Sequence, residues 1–264
     1  MTDKNTVVVS SPEELGSVAT RRSFLRMLGV GGSIVLLPSV FAACGDDDAG
    51  PYGLPPTGGT TGAGGAVVLN LNNDAGILNY AFALEQLEAA FYTAVTTASN
   101  FATLFTDANE REVLTDVTAD EVTHREFLRA AIPANGGTLI GNLAVNFTTV
   151  LASRATILAT ARSFEDLGVA AYNGAGKYLT SGNLLTLAGK IVSVEARHAA
   201  AIRDVLDTTG VQFANVSDIT DLGANNTTGL DGALEPSAVL TRVRATNTVT
   251  TNITIGTSPV APTA

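Results

Sequence analysis

Four long stretches of the sequence carry apolar residues at helical spacing, and they restrict the chain to a fold of long helices. They cover residues 73–98, 107–132, 149–179 and 181–209. At about 1.5 Å of rise per residue, each stretch would form a helix about 40 Å long. Asn73 or Asp74 can cap the N-terminus of the first helix. The second helix is expected to end before Pro133, and Gly210 can form the C-terminal cap of the fourth. Helices of this length in a small domain pack side by side as a bundle.

The connections between the stretches predict the topology of the bundle. The third and fourth stretches follow each other almost directly, and residues 99–106 join the first two. Residues 133–148, between the second and third, form a much longer connection with no periodicity of their own. Such a loop is uncommon in a compact domain, and a single long crossover explains it. The sequence therefore predicts an all-α fold, a four-helix bundle with one long crossover between helices two and three.

The only two histidines of the chain stand in the same relation to a glutamate. Glu121 lies three residues before His124, and Glu195 lies three residues before His198. This spacing places both side chains of a pair on one side of a helix. Both pairs fall in line with the aliphatic residues of the predicted core stripe. A buried carboxylate without a partner is costly, so these groups require one.

The first and third helices bring further carboxylates to the same stripe. Glu85 and Glu165 are each followed seven residues later by a tyrosine, Tyr92 and Tyr172. Four inward glutamates at one level of a bundle repel one another, whereas two divalent cations would neutralise them. The pattern predicts a dinuclear metal site with these ligands: Glu85, Glu121, His124, Glu165, Glu195 and His198. The alternative is a buried, metal-free network of the same side chains.

The two halves of the predicted bundle repeat each other, with one departure in the acidic residues. LEQLEAAFY, residues 84–92, corresponds to FEDLGVAAY, residues 164–172, so Glu88 has Gly168 as its counterpart. Glu88 is a candidate additional ligand, an alternative ligand, or an acid beside the ligands. Oxygen ligands with two imidazoles and no thiolate favour two iron or manganese ions over structural zinc.

Residues 1–44 have the composition of an export signal. Arg21 and Arg22 precede an apolar run that is shorter than the roughly 20 residues needed to span a bilayer. The segment resembles signals of the bacterial twin-arginine pathway, and its end, residues 41–44, is similar to a lipobox. This resemblance implies export to the periplasm or cell surface and lipidation of Cys44. The alternative is an uncleaved signal anchor with an incidental cysteine.

The segments on either side of the bundle are low in core-forming residues. Residues 45–71 are rich in Gly, Pro, Thr and Asp, which predicts a flexible tether. The bundle is predicted over residues 72–209. Residues 210–264 form an irregular tail, in which Pro236 can begin a short helix and residues 246–255 alternate weakly like a strand.

Charge and cysteine content exclude several classes of function. The formal net charge is −10, which argues against nucleic acid as a partner, because phosphate binding requires clustered Lys and Arg. A single cysteine excludes both an internal disulfide and a cysteine-rich metal centre. The expected partners are metal ions and, through the lipid anchor, a membrane; a homodimer is a candidate assembly.

At the six predicted ligands the chain resembles the ferritin-like superfamily of di-metal carboxylate proteins. In that superfamily two helices each provide one glutamate and the other two each provide Glu-x-x-His. The resemblance covers residues 72–209, and the branch is that of exported ferritin-like domains related to plant desiccation-associated proteins. It implies that Glu121 and Glu195 bridge the metals, while the other four residues bind one metal each. Tyr92 and Tyr172 would either hold the ligand carboxylates or only pack beside them.

Two functions fit this resemblance, and the sequence leaves open whether the protein is an enzyme. The first is redox chemistry with oxygen or peroxide at a di-iron or di-manganese centre, as in ferroxidases, peroxidases and manganese catalases. The second is a non-catalytic metal-binding or stress- and desiccation-protective protein of the cell envelope. Iron storage in a closed spherical shell is disfavoured, because lipid anchors pointing outwards from a sphere could not all enter one flat membrane.

Overall fold

The computed structural model describes residues 7–9, 34–36, 65–207 and 215–262. The predicted export signal with Arg21, Arg22 and Cys44, and most of the predicted tether, lie outside the described residues. Two units are distinguished, Met1–Gly59 and Thr60–Ala264. In the first unit, β1 (Val7–Val9) pairs in parallel with β2 (Ile34–Leu36). All other described elements belong to the second unit.

The second unit contains the predicted four-helix bundle. Its helices are α1 (Asp74–Thr96), α2 (Ala108–Ala134), α3 (Arg154–Ala175) and α4 (Gly182–Leu206). α1 packs mainly on α2 and α3 mainly on α4, so the bundle consists of two helical hairpins. The long irregular connection lies between α2 and α3, and the predicted fold class is confirmed. No helix in the described part of the chain is long and apolar enough to cross a membrane.

Each bundle helix begins where the sequence offers a side-chain oxygen to cap free backbone N–H groups. The capping residues are Asn73, Asp107, Ser153 and Ser181. Ser153 begins α3 later than predicted, because residues Val150–Ala152 form a separate 3₁₀ turn. A further helical turn, Phe101–Leu104, lies in the connection between α1 and α2. The caps thus fix where the helices start and at what level their inward side chains lie.

The predicted end of the second helix at residue 132, before Pro133, is wrong by two residues. Pro133 lies inside the last turn of α2, which continues to Ala134. Proline lacks the N–H that an interior helical position would donate, and it disfavours the helical conformation of the residue before it. Neither effect stops α2 in advance of Pro133, but the helix ends directly afterwards at Asn135.

The crossover is held against the bundle by amide side chains of α1. Asn79 donates to the carbonyl of Thr138 at 2.9 Å and accepts from the N–H of Ile140 at 3.0 Å. Two turns further along, Gln86 accepts from the N–H of Leu143 at 2.9 Å. These bonds satisfy backbone groups in a segment without regular structure. The crossover therefore covers the outer side of α1.

The C-terminal segment packs on the bundle and is more ordered than the predicted irregular tail. α5 (Pro236–Ala245) begins at the predicted proline and packs on α3. The carbonyl of Leu234 would lie only 1.8 Å from a Cβ at position 174, so glycine at this position permits the close approach. The backbone N–H of Leu234 then donates to the carbonyl of Ala170 at 2.9 Å.

A pair of parallel strands joins the two ends of the second unit. β3 (Val67–Asn70) pairs with β4 (Ile253–Thr257), in the register Val67 with Ile253. β3 lies within the segment that the sequence assigns to the flexible tether, and its residue Leu69 is 1% exposed. The ordered domain therefore starts before the predicted boundary at residue 72, because apolar side chains at alternate positions of β3 enter the core.

Candidate metal centre

The six predicted ligands all lie in the interior, at the middle of the bundle. The four glutamates have no exposed surface, and His124 and His198 are 8% and 6% exposed. Each of the four helices contributes at least one of them: Glu85 from α1, Glu121 and His124 from α2, Glu165 from α3, and Glu195 and His198 from α4. These six side chains share the helical periodicity of the Leu, Ile and Ala residues, so they point into the core together with them.

The ligand atoms form two overlapping groups. One group contains Glu85, Glu121, His124 and Glu195, and the other contains Glu121, Glu165, Glu195 and His198. Within each group the oxygen and nitrogen atoms lie within 4.8 Å of one another. Glu121 and Glu195 belong to both groups. Two neighbouring cations with two shared carboxylates would suit this arrangement.

Each histidine turns its Nδ1 atom towards the shared carboxylate of the opposite Glu-x-x-His helix. The Nδ1 atom of His124 lies 2.9 Å from Oε1 of Glu195 and 3.6 Å from Oε2 of Glu85. The Nδ1 atom of His198 lies 2.8 Å from Oε1 of Glu121 and 3.5 Å from Oε2 of Glu165. The two rings have their centroids 6.2 Å apart. The arrangement has approximate twofold symmetry that exchanges the two helical hairpins.

These close approaches do not have the directions of hydrogen bonds. Eight atoms of the six residues lack a hydrogen-bond partner among the described residues. They are Oε2 of Glu85, both oxygens of Glu121, Nδ1 of His124, Oε2 of Glu165, both oxygens of Glu195 and Nδ1 of His198. Buried polar atoms are normally hydrogen-bonded, and a cluster of exceptions calls for a physical explanation. Convergence on common interior points is the arrangement that metal ligation requires.

The two tyrosines hold the outer carboxylates across the bundle. The hydroxyl of Tyr92 on α1 donates to Oε1 of Glu165 on α3 at 2.5 Å, and Tyr172 on α3 donates to Oε1 of Glu85 on α1 at 2.5 Å. Each bond occupies one carboxylate oxygen and leaves Oε2 facing the cluster. The tyrosines are also buried in the core. They therefore perform both roles that the sequence left open.

Asp120 is a member of the site that the sequence analysis missed. Its Oδ2 atom lies 3.1 Å from Nε2 of His198. Because a carboxylate only accepts, the imidazole must donate from Nε2. In the neutral imidazole that a metal ion would bind, the lone pair of Nδ1 is then directed at the cluster. Asp120 directly precedes Glu121, whereas Val194 precedes Glu195 in the other half. The periodicity of α2 gave no signal, because Asp120 is half exposed and reaches a neighbouring helix.

Glu88 lies beside the ligand groups and belongs to neither of them. It is 4% exposed, and the missing side chain of Gly168 provides the space next to it. A Cβ at position 168 would lie 3.1 Å from Oε1 of Glu88 and 3.3 Å from Oε2 of Glu195. The departure from the internal repeat thus brings an extra carboxyl group close to one shared carboxylate.

The family model of the ferritin-like domain matches residues 73–208. The chain belongs to the ferritin-like domain family. A comparison with curated proteins found no match. The matched residues begin at the N-cap of α1 and extend just beyond the end of α4, so they contain all six predicted ligands of this ferritin-like domain.

The buried charges of the ferritin-like domain shift each other's pKa values strongly. Burial, followed by the charge of Glu85, raises the pKa of Glu121 to about 7. Burial and the charges of Glu121 and Glu85 raise the pKa of Glu195 well above its usual range. Burial lowers the pKa of His198, but its contacts with Glu121 and Glu165 outweigh this and raise it to about 11. Without cations the cluster therefore retains protons at neutral pH.

We expect the metal-free domain to lose stability as the pH rises from about 5 to about 8. The folded protein keeps a proton on Glu121 up to a pKa of about 7, whereas an unfolded glutamate releases it near about 4.3. The folded state thus binds more protons in this window, and its free energy of unfolding falls as they are removed. Protonated His198 also stabilises the folded state, and this stabilisation is lost as the pH rises towards its pKa of about 11.

Thermal unfolding of chelator-treated protein at several pH values measures this effect. Glu121→Gln should flatten the pH dependence, whereas Glu112→Gln, on the exposed side of the same helix, should retain it. Glu112→Gln is the control because it also removes one negative charge, and so reports the general charge repulsion within this acidic protein. A melting temperature that rises with pH in the metal-free wild type would contradict the predicted proton balance.

Proposed function

We propose that the domain binds two iron or manganese ions between its four helices and uses them in redox chemistry with dioxygen or peroxide. The observation that carries the proposal is the set of eight buried oxygen and nitrogen atoms without hydrogen-bond partners among the described residues. They belong to two groups of potential ligands that share two carboxylates. Oxygen ligands with two imidazoles favour iron or manganese.

The ligand assignment follows the two groups. Glu85 and His124 would bind one ion, Glu165 and His198 the other, and Glu121 and Glu195 would bridge them. Two divalent cations would balance the charge of four carboxylates in an interior where an uncompensated charge is expensive. The donor set therefore fits a dinuclear centre in number, in charge and in chemical type.

The residues around the ligands have separate tasks in this proposal. Tyr92 and Tyr172 keep the outer carboxylates oriented, and Asp120 fixes the tautomer of His198. Burial and the charges of Glu195 and Glu121 raise the pKa of Glu88 well above its usual range, so this side chain holds a proton beside Glu195. Glu88 is thus placed to deliver a proton to the centre. A bound iron or manganese pair would supply the electron transfer that ferroxidase, peroxidase and catalase reactions require.

Export and anchoring form a second part of the proposal. Arg21 and Arg22 before a short apolar run support the twin-arginine pathway, and Cys44 supports a lipid anchor at the membrane. The protein would then act in the periplasm or at the cell surface, with a homodimer as a candidate assembly. Labelling with a radioactive fatty acid should mark the wild type and leave Cys44→Ala unmarked; equal labelling of both would contradict the anchor.

Metal analysis of protein purified from its native host tests the proposed centre. The wild type should contain close to two equivalents of iron or manganese, and the variant with both His124→Ala and His198→Ala should contain much less, because each ion loses a ligand. The variant with Glu112→Gln serves as the control with an unaltered centre.

Equal metal content in the wild type and the double histidine variant would contradict the ligand assignment. Turnover of peroxide or oxidation of Fe(II) by the loaded wild type would support the redox role. Full metal content with neither activity would contradict that role and favour a non-catalytic metal-binding protein of the envelope.

We expect Asp120→Ala to weaken metal binding by about tenfold to 100-fold, the usual effect of removing a carboxylate that orients a histidine ligand. Because Asp120 is half exposed and water screens its charge, we expect a loss of affinity near tenfold. Titration of the metal-free protein with Mn²⁺ measures the dissociation constant. Asp116→Ala removes an exposed carboxylate one turn earlier on α2 and should leave the affinity unchanged. Equal affinities of the two variants would contradict the role of Asp120.

A further inference from the structure

An apolar cavity of about 30 Å³ lies next to the ligand cluster, between the helices of the bundle. Its lining includes Ala81, Leu128 and Ile191. Each of these residues lies one helical turn from a predicted ligand on its own helix, namely from Glu85, His124 and Glu195. The ring of Tyr172, whose hydroxyl donates to Glu85, also lines the cavity. The cavity therefore adjoins one side of the cluster.

The cavity exists because the internal repeat is broken at two positions. On one side of the ligand cluster, Phe91 of α1 and Phe164 of α3 fill the core, with their ring centroids 5.2 Å apart. In the internal repeat, Phe91 before Tyr92 corresponds to Ala171 before Tyr172. Phe164 before Glu165 corresponds to Leu84 before Glu85. Both of these smaller residues line the cavity. One aromatic pair is thus replaced by smaller side chains, and only on one side of the cluster.

The size and the lining of the cavity define what it can hold. A cavity holds one water-sized molecule once it offers roughly 10–15 Å³, so about 30 Å³ suits a diatomic molecule. Alanine, leucine and isoleucine side chains dominate the walls. Water requires two or more polar partners, and apolar cavities stay dry but take up small apolar ligands such as xenon. The lining extends from Phe127, which is 39% exposed, to the buried Tyr172.

We propose that this cavity binds dioxygen and is its route from the surface to the metal pair. The choice of dioxygen rests on the proposed function, whereas the preference for a small apolar molecule rests on the cavity alone. In the reaction it would serve, two Fe(II) ions each lose one electron; dioxygen gains these two electrons and two protons from solvent and leaves as hydrogen peroxide. The walls are apolar apart from the tyrosines Tyr80 and Tyr172, so they favour dioxygen over water and charged peroxide anions.

Xenon binding tests the cavity without any metal. Crystals of the metal-free protein under xenon pressure should show anomalous density between Ala81, Ala171 and Ala188. Ala188→Leu places a larger side chain in the lining at a half-buried position of α4 and should abolish this density. Ala90→Leu, at a half-buried position of α1 away from the cavity, is the matched control and should retain it.

A variant with a larger cavity provides a test that does not depend on the folding of Ala188→Leu. Leu184 lines the cavity and is 5% exposed, so Leu184→Ala should increase xenon occupancy. Absence of xenon from the cavity in both the wild type and Leu184→Ala would overturn the proposal.

The rate of Fe(II) oxidation tests the role in dioxygen delivery. In iron-loaded protein mixed with dissolved oxygen, Ala188→Leu should slow oxidation several-fold, with unchanged iron content, and Ala90→Leu should match the wild type. Equal rates in Ala188→Leu and the wild type, with xenon excluded from the variant, would overturn the assignment to dioxygen. Xenon binding in a wild-type protein that binds neither iron nor manganese would refute the proposed function and the dioxygen route, and would leave a site for a small apolar molecule.

Discussion

Four carboxylates held at one level inside a helical bundle repel one another, and the structure of this domain is arranged around that repulsion. All four glutamates are fully buried, where the charge of each raises the cost of ionising the others. The bundle places two imidazoles and two tyrosine hydroxyls in contact with them and leaves the remaining ligand atoms directed inwards. Protons or cations must supply the missing positive charge, and two divalent cations match it fully.

Approximate twofold symmetry organises the site, and three departures from it give the two halves different surroundings. Asp120 supports His198, while Val194 stands at the equivalent position near His124. Glu88 occupies space that Gly168 leaves open beside a shared carboxylate. Ala171 replaces the counterpart of Phe91 and opens the cavity. The symmetric residues are those that would hold the ions, whereas the three departures would serve proton supply, ligand orientation and access.

The bundle and the cluster could be predicted because both follow from one periodicity. A glutamate or histidine in phase with leucines and alanines must point to the same interior. This phase predicts the inward position of six residues: Glu85, Glu121, His124, Glu165, Glu195 and His198. Residues that act across helices carry no such signal. Asp120 reaches His198 from an exposed side of α2, and β3 pairs with β4 from the far end of the domain, so only the folded chain reveals them. At Pro133, the rule that a helix ends before a proline predicts the end of α2 only to within one turn.

Anomalous diffraction from crystals soaked in Mn²⁺, with data collected above and below the manganese absorption edge, tests the central claim most directly. The account predicts two manganese peaks about 3.5–4 Å apart, a spacing typical of two-metal sites, with Glu121 and Glu195 between them. A single peak, peaks at the protein surface, or a cluster that holds no manganese while its carboxyl groups bond to one another would contradict the account.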